Sequence, residues 1–260
     1  MRVVALDTTT RAGSVALVED DRIVSERAGD PSRTHAERLP GEILALLDAC
    51  GRTTADVDLF AAASGPGSFT GLRIGIATVQ GLAFVHRRQI VAISALEALA
   101  QIASVGQPAG AVIGPWMDAQ RGEVFTALYR VVSPPLFHPN RLSEIESPAV
   151  GDPVLTLRRW AAFVDVDSAI FVGDGAVRYA DVIGAATGPT NVSGPSKAGH
   201  DVRAGDLLAG AIGLMAAGRA ALGEKVEPAG VRPLYVRRPD AEIDREQRAL
   251  TTKDTKERSG

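Results

Sequence analysis

The chain has 260 residues, which is enough for one or two domains with a sizeable core. Its hydrophobic fraction of 45% and charged fraction of 23% are ordinary for a globular protein. Its net charge of -3 excludes a global basic field that would bind nucleic acid. The single cysteine, Cys50, excludes an internal disulfide and argues against a cysteine-based metal site. Because the N-terminus turns polar by Asp7 and no apolar run reaches the roughly 18 residues of a membrane span, we expect a cytoplasmic protein.

The first elements are predicted to be three short strands and a capped helix. Apolar, β-branched runs at residues 3–6, 14–18 and 22–26 predict an antiparallel meander. Thr34 and Glu37 then fit a capping box, in which both side chains satisfy free amide groups at a helix N-terminus. The apolar residues on one face of this helix are Leu39, Ile43, Leu46 and Cys50.

A glycine-rich segment joins a buried strand to the next helix. Residues 57–63 are almost all apolar, which predicts a central strand buried on both faces. Residues 64–75, SGPGSFTGLRIG, follow and lead into a helix that extends to about His86. A strand at 89–93 and a helix at 95–103 complete an order of elements typical of an RNase H-like unit with a mixed sheet.

A second, less regular set of strands and helices begins at residue 111. Its predicted elements are strands at 112–117, 123–132 and 169–172, helices at 153–163 and 204–222, and at most an edge strand in the proline-rich stretch 133–140. Asp7 and Asp118 each follow the first strand of their half. The pattern predicts an α/β, actin-like (ASKHA) duplicated RNase H-like fold, in which two lobes of mixed sheet flanked by helices enclose a cleft.

The predicted domain boundaries are 1–105 for the N-terminal lobe, 106–222 for the second lobe and 223–260 for a C-terminal segment. The last helix of the second lobe is expected to be able to pack back on the first. From Arg237 onward the sequence is highly charged with few apolar residues, which predicts a mobile tail. The arginine pairs of the chain are scattered, and we interpret them as solvated surface because they do not form the stripe that phosphate binding favours.

The glycines of the 64–75 segment do not fit a common phosphate motif. A glycine loop before a helix is a natural anion site, because free amides and the helix dipole point outward. However, Gly65 and Gly71 have five residues between them where a P-loop has four, and Gly65, Gly67 and Gly71 miss the dinucleotide spacing by one residue. A generic phosphate loop is therefore disfavoured.

The helix that follows is apolar on more than one side. Gly71 and Gly75 lie one turn apart, which allows another backbone to approach closely. An adjacent stripe, spaced by four, three and four residues, consists of Leu72, Ile76, Val79 and Ala83. Either this stripe packs on the chain's own sheet and helices, which the pattern alone favours, or it is exposed and packs on a second protein.

Four motifs in order make the chain resemble the bacterial TsaB (YeaZ) family. They are Leu6-Asp7-Thr8, GPGSFTGLRIG at 65–75, MDAQRGEV at 117–124 and PLYVR at 233–237. The resemblance covers nearly the whole chain and leaves only the residues after 237 outside it. It implies a two-lobed actin-like fold and a role beside TsaD, the related catalytic subunit that transfers threonylcarbamoyl from its adenylate to the adenosine next to the tRNA anticodon.

The resemblance also implies partners. TsaE, an ATPase, is the usual third member, tRNA is contacted only through the complex, and a homodimer is expected when the protein is alone. In the family, the first two helices of the N-terminal lobe pair with those of TsaD, which shifts the interpretation of the apolar stripe toward a partner surface. The predicted interface residues are Leu39, Ile43, Leu46, Gly71, Leu72, Gly75, Ile76, Val79 and Ala83.

The residues for chemistry are missing from the matching positions. Catalytic relatives carry a His-x-Glu-Gly-His motif whose histidines bind a metal, whereas the counterpart here, residues 95–99, reads ALEAL. Glu97 is retained and both histidine positions are aliphatic. The histidines of the chain are widely separated, so none forms an i, i+4 pair on one helix. We therefore predict no catalytic residue and no metal site.

The sequence predicts at most a vestigial nucleotide site. Actin-like ATPases and sugar kinases carry an Asp-x-Gly-Thr-Thr loop whose glycine lets the backbone wrap the phosphates, whereas Thr9 takes that position here. No cofactor is expected beyond weak nucleotide binding at Asp7, Thr8 and Thr9. Asp174, which lies between two glycines, is interpreted as part of a tight turn rather than as a remnant of an adenosine loop.

Two hypotheses of function follow. The first is a non-enzymatic subunit that binds and activates a TsaD-type transferase. The second is an actin-like ATPase or small-molecule kinase that uses Asp7 and the cleft. A nuclease is disfavoured because no further carboxylate is clearly placed beside Asp7 or Asp118 to hold two metals, and a peptidase because neither a zinc motif nor a nucleophile–base pair is visible.

Overall fold

The structure is a computed structural model that describes residues 1–132, 134–186 and 207–237. Within these residues the chain forms two mixed sheets, and each sheet is the centre of one lobe. The predicted charged tail after Arg237 lies outside the described residues, as does the start of the helix predicted at 204–222. The predicted domain boundaries stay predictions.

The first lobe is built on a five-stranded sheet in the order β3-β2-β1-β4-β5. The first three strands are antiparallel neighbours, whereas β4 is parallel to both β1 and β5. The strands are β1 (Arg2–Asp7), β2 (Ser14–Glu19), β3 (Arg22–Ala28), β4 (Leu59–Gly65) and β5 (Gln89–Ser94). The helices are α1 (His35–Ala49), α2 (Phe69–His86) and α3 (Ala95–Ala103).

The helices of the first lobe begin where local hydrogen bonds satisfy their first amides. At α1 the Glu37 carboxylate accepts from the Thr34 amide at 2.8 Å and from the Thr34 hydroxyl at 2.7 Å, which confirms that Glu37 caps this helix. At α2 the Ser68 hydroxyl accepts from the Gly71 amide. The helix ends at Arg87, whose φ of 52° lies in the left-handed region.

The second lobe repeats the arrangement with four strands, in the order β8-β7-β6-β9. Its first three strands are again antiparallel neighbours, and β9 is parallel to β6. The strands are β6 (Val112–Asp118), β7 (Val124–Val131), β8 (Leu142–Gly151) and β9 (Ile170–Val172). The helices after them are α4 (Pro153–Trp160), α5 (Asp174–Arg178), α6 (Ala180–Ala186) and α7 (Ala209–Ala221). The repeated order confirms the duplicated RNase H-like fold.

Three local differences from the sequence expectations concern the second lobe. Strand β8 was not predicted, because it is a half-exposed edge strand in which Glu144 and Glu146 interrupt the apolar alternation. Helix α6 was not predicted either. Asp174 begins the short helix α5 instead of forming a tight turn, since Gly173 at φ 105° acts as its N-cap.

The first sheet is covered on both faces by the chain itself. One face packs on α1 and α2 through residues such as Val4 and Leu6, and the other packs on α7 through residues such as Val3 and Ala5. Helix α3 joins the same apolar cluster as α7 and links it to β6 and β7 of the second lobe. Among the described helices, none is long and apolar enough to cross a membrane.

Candidate functional site

A cavity of about 650 Å³ lies between the lobes, where β1 and β6 end. Asp7 and Asp118 are the last residues of these two strands, so they occupy equivalent positions in the repeat. Residues from both lobes and from the last described segment line the cavity, among them Thr9, Thr10, Arg11, Ser68, Asp118, Asp174, Tyr235 and Arg237. The location is the cleft expected for an actin-like fold.

The loop after β1 binds its own carboxylate. Asp7 is buried, and its Oδ1 accepts from the Thr9 amide at 2.9 Å and from the Thr9 hydroxyl at 2.7 Å. Burial raises the pKa of Asp7, and the hydrogen bonds from Thr9 oppose that rise. Of the three predicted nucleotide residues, Thr9 lines the cavity, whereas Thr8 is buried against α2. The Asp7 carboxylate therefore stabilises its own loop.

The glycines before and within α2 let this helix contact the same loop. A Cβ added to Gly67 would lie 2.5 Å from the Thr9 Cβ, and one added to Gly71 would lie 2.2 Å from the Thr8 carbonyl oxygen. At Gly75 the nearest atom would be the Thr8 hydroxyl oxygen, at 2.3 Å. The sequence predicted a close backbone approach at Gly71 and Gly75, and this approach is made by the chain's own loop.

Two buried side chains of α1 hold the other side of the loop. His35 Nε2 lies 2.9 Å from the Thr10 carbonyl oxygen, and His35 Nδ1 lies 2.9 Å from an Arg38 nitrogen. Since arginine only donates, Nδ1 accepts and Nε2 carries the proton that it donates to Thr10. Arg38 also donates to the Ala12 carbonyl and pairs with Glu42 at 2.7 Å. The sequence did not predict these contacts, because the α1 side chains and the loop carbonyls that they bind lie far apart along the chain.

Two carboxylates of the second lobe that line the cavity also form hydrogen bonds or ion pairs with neighbouring groups. Asp174 Oδ1 accepts from the Asp118 amide at 3.0 Å and from the Gly175 amide at 2.8 Å. Asp118 pairs with Arg178 at 2.9 Å. Burial raises the pKa of Asp174, and the two amide hydrogen bonds oppose the rise. Across the described part of the chain, no three His, Cys, Asp or Glu residues are arranged to hold a metal ion.

Helix α3 carries residues 95–99, the segment that the family resemblance matches to a metal motif. Ala95 and Leu99 are buried in the apolar cluster that links the lobes. The Glu97 carboxylate accepts two hydrogen bonds from Arg219 of α7, at 2.7 and 2.8 Å. Burial raises the pKa of Glu97, and the Arg219 charge opposes this rise. Glu97 is therefore the partner of a structural ion pair.

The nine predicted interface residues lie in the interior of the first lobe. The seven apolar side chains among them are at most 5% exposed, the two glycines are buried as well, and all nine pack on the sheet or on the loop after β1. The buried set is Leu39, Ile43, Leu46, Gly71, Leu72, Gly75, Ile76, Val79 and Ala83. A buried side chain cannot contact a second protein, so this assignment of residues is corrected. Whether the two helices bind a partner stays a prediction.

The solvent side of α1 and α2 carries a different apolar set, which we call the outer helix face. It consists of Pro40, Gly41, Leu44 and Ala45 of α1 with Ala77, Gly81, Phe84 and Val85 of α2. Leu44, Phe84 and Val85 are 57%, 78% and 72% exposed. A Cβ added to Gly41 or Gly81 would meet no atom within 4 Å. The sequence did contain a signal for this face, because α2 is apolar on more than one side.

Comparisons with known proteins match this chain to a TsaD family model and to TsaB (YeaZ) proteins. Residues 27–161 match the family model described as TsaD, tRNA N6-adenosine threonylcarbamoyltransferase. The tRNA threonylcarbamoyladenosine biosynthesis protein TsaB of Escherichia coli is 32% identical over 188 residues, which cover 68% of this chain and 80% of that protein. The structure of YeaZ from Pseudomonas aeruginosa is 32% identical and has a TM-score of 0.67, with 90% of this chain and 99% of that chain covered.

Some relatives match over a shorter stretch. The TsaB protein of Bacillus subtilis is 34% identical over 130 residues, which cover 50% of this chain and 56% of that protein. The match therefore spans little more than half the length of that relative. The structural match, by contrast, extends over both lobes.

Proposed function

We propose that this chain, which belongs to the TsaB (YeaZ) family of tRNA threonylcarbamoyladenosine biosynthesis proteins, is a non-catalytic cytoplasmic subunit that binds and activates a TsaD-type threonylcarbamoyltransferase. The transferase modifies the adenosine next to the tRNA anticodon. A TsaE-type ATPase is the third member of the complex, and tRNA is contacted only through the complex. Catalysis resides in the transferase.

The packing of α3 is the observation that carries this proposal. The two positions that hold metal-binding histidines in catalytic relatives are Ala95 and Leu99, and both are buried without a donor atom. The Glu97 carboxylate between them is paired with Arg219 at 2.7 Å. A metal at this position would have to displace the ion pair and still lack two ligands. These residues therefore stabilise the lobes instead of supplying chemistry.

The outer helix face supports binding to the transferase. Large exposed apolar side chains that are grouped on one surface are typical of protein–protein contacts. Gly41, Ala45, Ala77 and Gly81 are small and exposed, so a helix of the partner can approach the backbone of α1 and α2 closely. The same face allows two copies to pair about a two-fold axis when the transferase is absent.

The cleft is proposed to bind nucleotide weakly or not at all in the isolated chain. Thr9 replaces the glycine of the phosphate loop, and its side chain packs against Gly67. The Asp7 carboxylate is occupied by two hydrogen bonds from Thr9. Opening this site would leave a buried carboxylate without its partners, which costs about 1–3 kcal/mol or more.

Reconstitution of tRNA threonylcarbamoylation tests the proposal. Leaving this chain out of an otherwise complete system should abolish or strongly reduce modification, and restoring it should recover the activity. Ala77→Glu adds a charge to the outer helix face and should weaken binding to the transferase at least about tenfold, equivalent to about 1.4 kcal/mol. Ala162→Glu is the matched control, because it makes the same change at an exposed position of the second lobe.

Three outcomes would overturn parts of this assignment. Full modification without the chain would remove the activating role. Unchanged binding by Ala77→Glu would reject the outer helix face as the contact surface. Micromolar binding of ATP with magnesium, with turnover that Asp7→Asn abolishes, would replace the proposal with an actin-like ATPase or kinase.

A further inference from the structure

The last described segment crosses the cleft from one lobe to the other. The Leu234 amide donates to the carbonyl oxygen of Ser64, near the end of β4, at 2.7 Å. Three residues later, Arg237 Nη1 donates to the carbonyl oxygen of Ala119, just after β6, at 2.7 Å. We infer that residues 234–237 form a strap that ties the two lobes together and fixes the width of the cleft.

An aromatic contact anchors the strap to the first lobe. The Tyr235 ring lies 5.1 Å from the Phe69 ring, and its hydroxyl accepts from Arg73 Nε at 3.0 Å. The Arg73 guanidinium stacks over Phe69 at 3.9 Å from the ring centroid. The backbone also lies close, because a Cβ added to Gly65 would meet the Leu234 carbonyl oxygen at 2.9 Å. Both ring and backbone therefore fix the strap beside the start of α2.

Arg237 anchors the strap to the second lobe, and Val236 packs against the apolar cluster that includes residues of that lobe. Besides its bond to Ala119, the Arg237 guanidinium pairs with the Glu123 carboxylate and lies 5.6 Å from the centre of the Phe125 ring. Hydrogen bonds between ionised groups are about twice as strong as neutral ones. Arg237 is half-buried, so water screens this pair only in part. Removing the side chain should release this end while the ring contact at the other end persists.

The strap is short for the distance that it spans between its two anchors. Only Tyr235 and Val236 lie between the two anchoring residues, and an extended chain adds at most about 3.3–3.6 Å per residue. All four residues line the cleft cavity together with Thr9 and Asp118 from opposite lobes. Movement of the lobes away from each other therefore has to break the contacts of Arg237 or those of Leu234. All contacts of the strap are made within one chain, so they do not depend on a partner.

Hydrogen exchange of the Leu234 amide reports directly on attachment of the strap. In Arg237→Ala this amide should exchange at least about tenfold faster than in the unmodified protein, equivalent to about 1.4 kcal/mol. The Val226 amide is the internal reference, since it donates to the Ile90 carbonyl oxygen at 2.9 Å within the first lobe. Arg232→Ala is the matched variant, because Arg232 donates to the nearby carbonyl of Ala229.

A distance measured across the cleft tests the effect on the lobes. Spin labels at Thr70→Cys and Gln120→Cys, in a Cys50→Ala background, lie at exposed positions of opposite lobes. Arg237→Ala should move the distribution of distances to longer values. The inference is overturned if Arg237→Ala leaves both the Leu234 exchange rate and the distance unchanged. It is also overturned if Arg232→Ala or the Val226 amide changes as much, because the effect would then be general destabilisation.

Discussion

Gly75→Ala tests the contact between α2 and the loop after β1 with a single added methyl group. The new Cβ would lie 2.3 Å from the Thr8 hydroxyl oxygen and 3.0 Å from the Thr8 Cγ2 atom. Thr8 is buried and β-branched, so its side chain cannot rotate away freely. Either α2 or the loop has to move, and the folded state is therefore expected to lose stability.

The size of the effect follows from two opposing terms. Overpacking of a well-packed interior costs about 1–3 kcal/mol. Alanine is favoured over glycine inside a helix by about 0.8–1.0 kcal/mol. At Gly81, on the solvent side of the same helix, an added Cβ meets nothing within 4 Å, so Gly81→Ala should show only the favourable term. The difference between the two variants cancels helix propensity and should be about 1–3 kcal/mol.

Urea unfolding of both variants measures this difference in the free energy of unfolding. Thr8→Ala should rescue Gly75→Ala in part, because it removes the two nearest atoms and leaves only the Cβ at 3.2 Å. The double variant should therefore be more stable than the sum of the single effects by at least about 1 kcal/mol. Equal stability of Gly75→Ala and Gly81→Ala, or strict additivity with Thr8→Ala, would refute the packing argument.

Three further substitutions test buried polar groups, each by urea unfolding. Burial raises the pKa of Asp7 above 3.8 in the folded state, so the folded state binds its proton more tightly and stability falls as pH rises through the folded pKa. Asp7→Asn should lack that fall, which begins as the pH rises above the ordinary pKa of an aspartate, and an unchanged pH profile would contradict the assignment. Arg38→Ala should lower the free energy of unfolding by about 2–4 kcal/mol, because it leaves buried carbonyls and a carboxylate unpaired. Arg33→Ala, at an exposed position of the same region, should change it by no more than about 0.5 kcal/mol. Glu97→Gln should cost about 1–3 kcal/mol by leaving Arg219 without its anion, and a neutral result would remove the structural role of this pair.

Local patterns determined most of the fold. The apolar run at 57–63 and the capping box at Thr34 are short-range signals. Strand β4 (Leu59–Gly65) forms within two residues of its predicted position, and helix α1 begins after Thr34 as predicted. Edge strand β8 escaped prediction, because its half-exposed position is set by β7 and not by its own residues. The order of the elements in the first half and its partial repeat in the second half were sufficient to predict the duplicated fold.

Helical periodicity located an apolar stripe on α2 but could not say what covers it. A stripe looks the same in sequence whether it packs on a sheet of the same chain or on another protein. The sheet in fact covers Ile76 and Val79, and the side with Gly81 and Phe84 faces solvent. The residues predicted to contact a partner therefore lie on the side of α2 that the chain's own sheet covers.

The segment SGPGSFTGLRIG, together with three other motifs, indicated the family, and by itself it predicted a strand–turn–helix unit that lacks a phosphate motif. Only the tertiary structure decided which contacts its glycines allow. Gly71 and Gly75 contact Thr8, which lies more than sixty positions earlier in the chain, and Leu234 reaches the same region from the other end. Spacing along a chain fixes which residues share a face of a helix. It carries no information on which distant backbone that face meets, because that choice is made by the packing of the whole sheet.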